Sequence, residues 1–344
     1  MKRLLIAIIV LIVLSVGSAI GLIVLTSAPA KAPTPRPKVS ASPTVAPPNP
    51  LSIAAVRAHP VVPSPVTVTQ TLPSRGGCPT KVVSFRVDGL TEYALFQQPS
   101  TAAPSGGYPV IILAHGYIAP TTYKTDATDY QGFMNTFCSA GYAILKLDYR
   151  GNGSSAGSPT VGDLEAGYTY DLLGLTASLV NLSGVNANQV AWLGHSMGGA
   201  VVLRAAVASH NLPVKAIITA SGVVGSVDDT LNNWPVAMLP ADLIPQKAAF
   251  ITAHGTPKSS PAFWHDISAI NYVSAITAPV EINHGTADTV VPIAFSASLD
   301  SSLTAANIPH VYYTYAGGDH QYSQAGSGAA FLTNTLSFLK VNMK

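Results

Sequence analysis

Ser196, which has a glycine two residues away on either side, is the residue of this chain best suited to act as a nucleophile. Residues 194–198 read Gly-His-Ser-Met-Gly, with Ser196 at the centre. A β-like run at 189–193 precedes them, and an Ala/Val-rich helical run at 200–209 follows. This is the pattern of a nucleophile elbow, a sharp strand-to-helix turn that lifts a serine hydroxyl clear of the backbone. Such a hydroxyl becomes a useful nucleophile only when a base stands beside it.

A candidate acid and a candidate base follow Ser196 in the chain, each just after a predicted strand. Asp288 follows the strand predicted at 280–283, and His320 lies in a Gly-rich loop after the strand predicted at 310–315. The order serine, acid, histidine is the one that accompanies a nucleophile elbow. We therefore expect Ser196, Asp288 and His320 to form a catalytic triad.

Two backbone amides are expected to form an oxyanion hole. The Met197 N–H directly follows the serine, at the positive end of the predicted helix. The Tyr117 N–H follows the strand predicted at 108–114, and Gly116 before it allows the backbone to approach closely. Both amides would donate to the negative oxygen of an acyl-transfer intermediate.

Other polar residues near these motifs have a plainer interpretation. Asp319 precedes the expected base, but a sequence neighbour usually points elsewhere, so it is interpreted as exposed or bonded to loop amides. Asp288 taken alone could also be a turn-forming aspartate. His115, His195 and His284 are interpreted as supports of their loops rather than as proton-transfer groups.

The elements that must position these residues alternate along the chain. A hairpin is predicted around Asp88-Gly89, and apolar strands separated by helices follow it. This alternation predicts an α/β protein with a mostly parallel sheet wound by helices on both faces and an antiparallel edge. The carboxyl ends of parallel strands then lie along one rim, where ligands bind. Residues 222–279 break the alternation and are predicted to form a small cap, with Trp234 and Trp264 as candidate walls of the substrate pocket.

Composition divides the chain into three parts. Lys2 and Arg3 precede an apolar run at 4–25, close to the roughly 20 residues that span a bilayer. Residues 1–28 are therefore predicted to be a transmembrane signal anchor, with a cleaved signal peptide as the alternative. Residues 29–66 are rich in proline and are predicted to be an extended stalk or a disordered tail. Residues 67–344 are predicted to be the folded domain, outside the cytoplasm, or secreted after signal cleavage.

Charge and cysteine content limit the classes of function. The net charge is +2, only 10% of the residues are charged, and no basic stripe appears, so no nucleic-acid partner is predicted. Cys78 and Cys138 could pair in an oxidising compartment or remain as buried thiols. No Cys/His spacing of a metal site and no phosphate-binding loop appear, so neither a metal nor a cofactor is predicted. The oligomeric state is left open.

The chain resembles the α/β-hydrolase superfamily, and within it the catalytic domain of prolyl oligopeptidase-type and dienelactone hydrolase-type enzymes. The pieces that match are Ala-His-Gly-Tyr at 114–117, Leu-Asp-Tyr-Arg-Gly-Asn-Gly-Ser at 147–154, Gly-His-Ser-Met-Gly-Gly at 194–199, His-Gly-Thr-Ala-Asp-Thr-Val-Val-Pro at 284–292 and Gly-Asp-His at 318–320. The resemblance implies an α/β-hydrolase fold with Ser196 as nucleophile, Asp288 as acid and His320 as base.

The expected function is the hydrolysis of carboxylic esters by an extracytoplasmic serine hydrolase. Prolyl oligopeptidase-type peptidases usually carry a propeller before the catalytic domain, whereas an anchor and a stalk are predicted here. No paired-glutamate motif that could grip a peptide amine is seen. A serine peptidase is the alternative, so the expected partner is a small-molecule ester or a peptide. A non-catalytic binding protein of the same fold is a further alternative, which predicts a missing triad member, and none is missing.

Overall fold

One nine-stranded sheet organises the part of the chain that the computed structural model describes, which is residues 49–208, 211–324 and 326–344. The strands are β1 Thr67–Arg75, β2 Cys78–Val87, β3 Leu90–Gln97, β4 Tyr108–Ala114, β5 Ala143–Leu147, β6 Val185–His195, β7 Val214–Ala220, β8 Val280–Gly285 and β9 His310–Tyr315. Their order in the sheet is β1-β2-β3-β5-β4-β6-β7-β8-β9. Pairing is antiparallel as far as the β3–β5 pair and parallel through the remaining five pairs.

Helices cover both faces of this sheet. They are α1 Ile53–Ala58, α2 Gln131–Ser139, α3 Gly167–Ser178, α4 Met197–Ala208, α5 Val227–Asn232, α6 Leu243–His254, α7 Pro261–Ile267, α8 Ile293–Ala305 and α9 Ser327–Asn342. One apolar core holds residues of α1, α3, α4 and α8, and the core on the opposite face holds residues of α2 and α9. Continuous apolar runs indicate strands that are buried on both faces. The strand predicted at 108–114 is accordingly found with those bounds, and the strand predicted at 310–315, which is only partly buried, also has its predicted bounds.

The antiparallel edge contains the predicted hairpin and one strand that was not predicted. Asp88 and Gly89 both have left-handed backbone, with φ of 52° and 81°, as a tight two-residue turn between β2 and β3 requires. Strand β1 pairs with β2 as the outermost strand, and most of its residues are exposed. Its sequence is mostly polar and contains Pro73, so it lacks the apolar pattern that marks a strand.

The folded domain begins before residue 67, which corrects the predicted boundary of the stalk. Residues 53–58 form helix α1, and Ile53 and Val56 are fully buried in the core around α3 and α4. The Arg57 guanidinium donates two hydrogen bonds to the carbonyl of Val207, at distances of 3.1 and 2.9 Å. The sequence did not predict this short helix, because prolines surround it and a proline-rich composition is typical of extended chain.

Two other predictions depend on particular parts of the chain. Cys78, at the start of β2, forms a disulfide with Cys138 of α2. Within the described residues, no helix is long and apolar enough to cross a membrane. The predicted anchor, residues 1–28, and the predicted stalk up to residue 48 lie outside those residues.

Candidate active site

Ser196 lies between the last residue of β6 and the first residue of α4. Its backbone is left-handed, with φ of 54°, a conformation that costs a non-glycine residue about 1–3 kcal/mol. Surrounding hydrogen bonds hold it there: its N–H donates to the Ala220 carbonyl at 3.0 Å, and its own carbonyl accepts from Gly199 and Val223, each at 2.9 Å. The strained strand-to-helix turn expected of a nucleophile elbow is therefore present.

The two flanking glycines permit this turn because no side chain fits beside it. A Cβ on Gly194 would lie 2.3 Å from the Gly198 carbonyl oxygen, and a Cβ on Gly198 would lie 1.9 Å from the Ala114 carbonyl oxygen. Gly116 is equally constrained, since a Cβ there would lie 2.9 Å from the Cβ of Ser196. The elbow and the loop after β4 thus approach each other through glycine backbone.

The predicted acid and base form a hydrogen-bonded pair on the neighbouring loops. The Nδ1 atom of His320 lies 2.8 Å from Oδ2 of Asp288. The other oxygen of Asp288 accepts from the N–H groups of Val290 and Val291, at 2.8 and 2.9 Å. Gly285, the last residue of β8, brings the two loops together, because a Cβ there would lie 2.2 Å from the Gly318 carbonyl oxygen.

His284 also contacts the carboxylate, which goes beyond the predicted role of a loop support. Its Nε2 atom lies 3.2 Å from Oδ2 of Asp288 and 3.1 Å from the Val291 carbonyl oxygen. Both neighbours are acceptors, so the proton of this imidazole is on Nε2, and the Ser296 hydroxyl donates to Nδ1 at 2.7 Å. Burial by itself raises the pKa of Asp288, but hydrogen bonds from His284 and His320 outweigh burial and hold the pKa well below its usual range. Asp288 is therefore ionised at neutral pH.

A relay of hydrogen bonds joins residues 115–117, which follow β4 and which we call the oxyanion loop, to the backbone of His320, the predicted base. The Gly116 N–H donates to the Tyr130 hydroxyl at 2.8 Å, and that hydroxyl donates to Nδ1 of His195, also at 2.8 Å. The other ring nitrogen of His195 donates to the carbonyl of His320 at 2.9 Å. Burial lowers the pKa of His195 to about 3, so the ring stays neutral and its proton is on Nε2. His195 supports a loop, as predicted from the sequence.

Tyr130 was not identified from the sequence. Its backbone is left-handed, with φ of 65°, directly before α2. No motif in its local sequence marks it as a site residue. The contact depends on how that helix packs against the elbow, which a local pattern does not reveal.

The two predicted oxyanion amides have no competing acceptor. Met197 opens α4, where the first N–H groups of a helix lack partners inside it. Neither the Met197 N–H nor the Tyr117 N–H donates to another protein group in the described parts of the chain. The Tyr117 hydroxyl donates to the carboxylate of Asp242, the residue before α6, which links the oxyanion loop to the cap.

The Ser196 hydroxyl and His320 are not hydrogen-bonded to each other in this structure, in which both residues are described. Catalytic hydrogen bonds are often long without substrate and shorten in the complex. The structure therefore holds the predicted acid and base as a hydrogen-bonded pair, and the contact of His320 with Ser196 that a triad requires is not made in it.

The remaining polar residues behave as interpreted from the sequence. Asp319 is partly exposed and accepts from the N–H and the hydroxyl of Ser323, away from the imidazole of His320. His115 is buried, lies 2.7 Å from the Gly116 carbonyl oxygen through Nδ1, and stacks on Tyr123. Burial lowers its pKa to about 3. In the described residues, no group of three or more His, Cys, Asp or Glu side chains could hold a metal ion.

The cap is present between β7 and β8, but its two tryptophans differ in position. The Trp234 indole N–H donates to the Val290 carbonyl at 2.8 Å, and thus contacts the loop that carries Asp288. The Trp264 indole donates to the Gly255 carbonyl, and its ring belongs to the core of the cap. Trp264 is 2% exposed, and the cavity of about 540 Å³ that it helps to line contains other cap residues but neither Ser196 nor His320. Lys247 of α6 forms a buried ion pair with Asp163 at 2.8 Å and fastens the cap to the domain.

Known proteins of similar sequence and structure include hydrolases. A monoacylglycerol lipase from Mycolicibacterium smegmatis is 25% identical over 234 residues, 58% of this chain and 77% of the lipase. The Pyrococcus furiosus esterase Pf2001 superposes with a TM-score of 0.59 and 18% identity, covering 82% of this chain and 100% of the esterase. Dipeptidyl peptidase 4 of Porphyromonas gingivalis superposes with a TM-score of 0.60 and 21% identity, covering 77% of this chain and 36% of the peptidase. The two structural likenesses show the α/β-hydrolase fold.

A protein-family model also matches this chain, and the match extends over most of the folded domain. The model named BD-FAE matches residues 97–303, which include the elbow serine, the acid and the cap. The resemblance to the α/β-hydrolase superfamily is thereby confirmed. Since this match covers more than half of the chain, the chain belongs to the BD-FAE family, and it is a serine hydrolase.

Proposed function

We propose that this serine hydrolase cleaves carboxylic esters through an acyl-enzyme on Ser196. His320 takes the proton of the Ser196 hydroxyl through Nε2 as the oxygen attacks the ester carbon. The Tyr117 and Met197 amides donate to the resulting oxyanion. His320 then gives this proton to the departing alcohol. In the second half, His320 takes a proton from a water molecule that attacks the acyl-enzyme, and returns it to the Ser196 oxygen as the acid leaves.

The observation that supports this proposal most strongly is the ionised Asp288 bonded to His320 beside the strained elbow. The 2.8 Å contact fixes the Nδ1–H tautomer of His320, which leaves Nε2 free to act as the base. The carboxylate of Asp288 is surrounded by four N–H groups, so it is not available as a nucleophile or as a proton acceptor. Its role is therefore to orient the imidazole and to stabilise the imidazolium that forms.

The lipase relative, of which the chain covers 77%, supports esters as substrates. Acylglycerols are the ester class that the lipase relative's name suggests for this chain.

We propose an extracytoplasmic location for the domain, with residues 1–28 as a signal anchor. The basic pair Lys2-Arg3 before an apolar run supports this orientation. The disulfide between Cys78 and Cys138 supports it independently, because disulfides persist mainly in oxidising compartments.

A matched substrate panel tests this function. The purified protein is assayed with acetyl, butyryl and octanoyl esters, with a monoacylglycerol, and with aminoacyl anilides. We expect hydrolysis of the esters at rates that Ser196→Ala abolishes and that Ser323→Ala, on the loop of His320, leaves unchanged. Cleavage of anilides in preference to every ester would make the protein a peptidase. A wild-type protein that cleaves nothing would favour a binding role.

A further inference from the structure

A cleft opens beside the N-terminus of helix α2, next to the proposed catalytic residues. Its volume is about 380 Å³, within the range of small-molecule pockets. Its lining combines apolar side chains with polar ones, and consists of Tyr117, Ile118, Thr128, Asp129, Tyr130, Gln131, Gly132, Phe133 and Gln321. We call this space the α2 cleft. It lies on the side of the sheet covered by α2 and α9, and no residue of the cap lines it.

Three of its lining residues connect the α2 cleft to the reaction centre. Tyr117 carries one of the two oxyanion amides, and Gln321 directly follows His320. The Tyr130 hydroxyl is 3.0 Å from the point where a Cβ on Gly116 would stand, and that point is 2.9 Å from the Cβ of Ser196. The α2 cleft is therefore lined by the residue that carries one predicted oxyanion amide and by the residue after the predicted base, while Ser196 and His320 do not line it themselves.

This position matches the place of the departing alcohol. The base gives its proton to the leaving oxygen, so the alcohol must lie on the His320 side of the ester carbon. The ester carbonyl oxygen faces the Tyr117 and Met197 amides at the same moment. We propose that the α2 cleft binds the alcohol half of the ester, and that it selects alcohols bearing an aromatic ring. This inference rests on the proposed function, and it assigns a subsite to it.

One part of the wall of the α2 cleft suits a flat apolar group, and the other part is polar, with Thr128, Asp129 and Gln131. Tyr117, Tyr130 and Phe133 present aromatic rings, and Ile118 adds an aliphatic side chain. Phe133 is held in place by Tyr130 and Phe331, with ring centroids 6.2 and 5.2 Å apart. The hydroxyl of Tyr130 is already occupied by Gly116 and His195. Aromatic surfaces fixed in this way prefer to stack on another ring.

Gly132 lines the α2 cleft at an exposed position. It is the second residue of α2. Its backbone is not left-handed, and a Cβ there would meet no atom within 4 Å. Neither backbone geometry nor crowding requires a glycine at this position. The missing side chain leaves space for a ligand, which makes Gly132 a determinant of alcohol size.

The test places a large side chain at position 132 and compares two esters that share an acyl group and differ in their alcohol. Gly132→Phe is assayed against the wild type with 4-fluorobenzyl acetate and ethyl acetate. We expect kcat/KM for the fluorobenzyl ester to fall at least tenfold more than for the ethyl ester, whose alcohol is too small to reach far into the cleft. The ratio of ethyl acetate to ethyl butyrate turnover should stay within twofold. Ser139→Phe, exposed on the same helix and outside the cleft, is the matched control and should keep wild-type values.

A binding measurement separates this inference from the proposed function. Fluorine NMR of 4-fluorobenzyl alcohol should show line broadening with the wild type and with Ser139→Phe, and none with Gly132→Phe. Equal loss of both acetates with unchanged alcohol binding would overturn the inference, as would a changed acyl preference with an unchanged alcohol preference. If the alcohol binds as expected but no ester is cleaved, the subsite stands and the proposed ester hydrolysis fails.

Discussion

Asp288 accepts four hydrogen bonds, two from backbone amides and two from imidazoles. One oxygen faces Val290 and Val291, and the other faces His284 and His320. This arrangement allows only an ionised carboxylate, because any N–H or O–H at this position would oppose a donor. Asp319 has no comparable environment, since its partners are the N–H and hydroxyl of one serine at the surface.

Exchanging each aspartate for asparagine separates their roles. In Asp288→Asn the new amide would present its oxygen to the two backbone N–H groups and its NH₂ group to both imidazoles, so His320 would lose the tautomer that frees Nε2. We expect Asp288→Asn to lower kcat by roughly 10⁴-fold. Asp319→Asn is the matched control and should stay within a fewfold of the wild type. The measurement is the steady-state kcat of both variants with one ester. A larger loss of kcat in Asp319→Asn than in Asp288→Asn would assign the role of the acid to Asp319.

The sequence could identify the site residues that lie directly after strands, and it could not identify the ones that reach the site through packing. Ser196, Asp288 and His320 were expected because strand ends share one rim in a parallel sheet. Tyr130 reaches the elbow because α2 packs across it with a left-handed residue at its start. That contact joins residues 65 positions apart, so no local pattern records it.

At the scale of elements, the cap contacts the catalytic loops through α6 and Trp234. Asp242 before α6 binds the Tyr117 hydroxyl, and Lys247 lies 4.4 Å above the ring of Trp234. The indole of Trp234 then contacts Val290, two residues after Asp288. The composition of 222–279 predicted a cap with aromatic content. It could not tell which tryptophan faces the catalytic loops, because that depends on how three short helices fold together.

A matched pair of tryptophan variants tests this contact. Trp234→Phe and Trp264→Phe each remove one indole N–H, and the lost acceptors are Val290 on the acid loop and Gly255 inside the cap. Losing a buried hydrogen bond costs about 1–3 kcal/mol in either variant. We expect both to lower the melting temperature, and Trp234→Phe alone to lower kcat several-fold with KM unchanged. Equal kcat values for the two variants would show that the Trp234 contact has no influence on the acid loop.

At the scale of the whole molecule, the fold class could be predicted and its N-terminal boundary could not. The alternation of strands and helices identified the parallel part of the sheet. Helix α1 was not predicted because it has only six residues, and β1 was not predicted because its side chains are mostly polar and exposed. Short helices and exposed edge strands are stabilised by what they pack against, and this information lies elsewhere in the chain.

Two truncations test the corrected boundary. Removing residues 1–48 leaves α1 and every residue of the proposed site in place, so we expect wild-type kinetics. Removing residues 1–66 deletes Ile53 and Val56, both fully buried, at about 1.5–3 kcal/mol for each side chain. Thermal unfolding should show a clearly lower midpoint for the longer deletion. Identical midpoints would mean that residues 49–66 do not contribute to the core, as the stalk prediction stated.

The central claim is that Ser196 is the nucleophile, and covalent labelling tests it most directly. The protein is treated with a fluorophosphonate, digested, and searched by mass spectrometry for the modified serine. We predict a single adduct on Ser196, formed fast in the wild type, slowly in Asp288→Asn and His320→Gln, and not at all in Ser196→Ala. An adduct on another serine, or labelling of Ser196→Ala at the wild-type rate, would contradict the account.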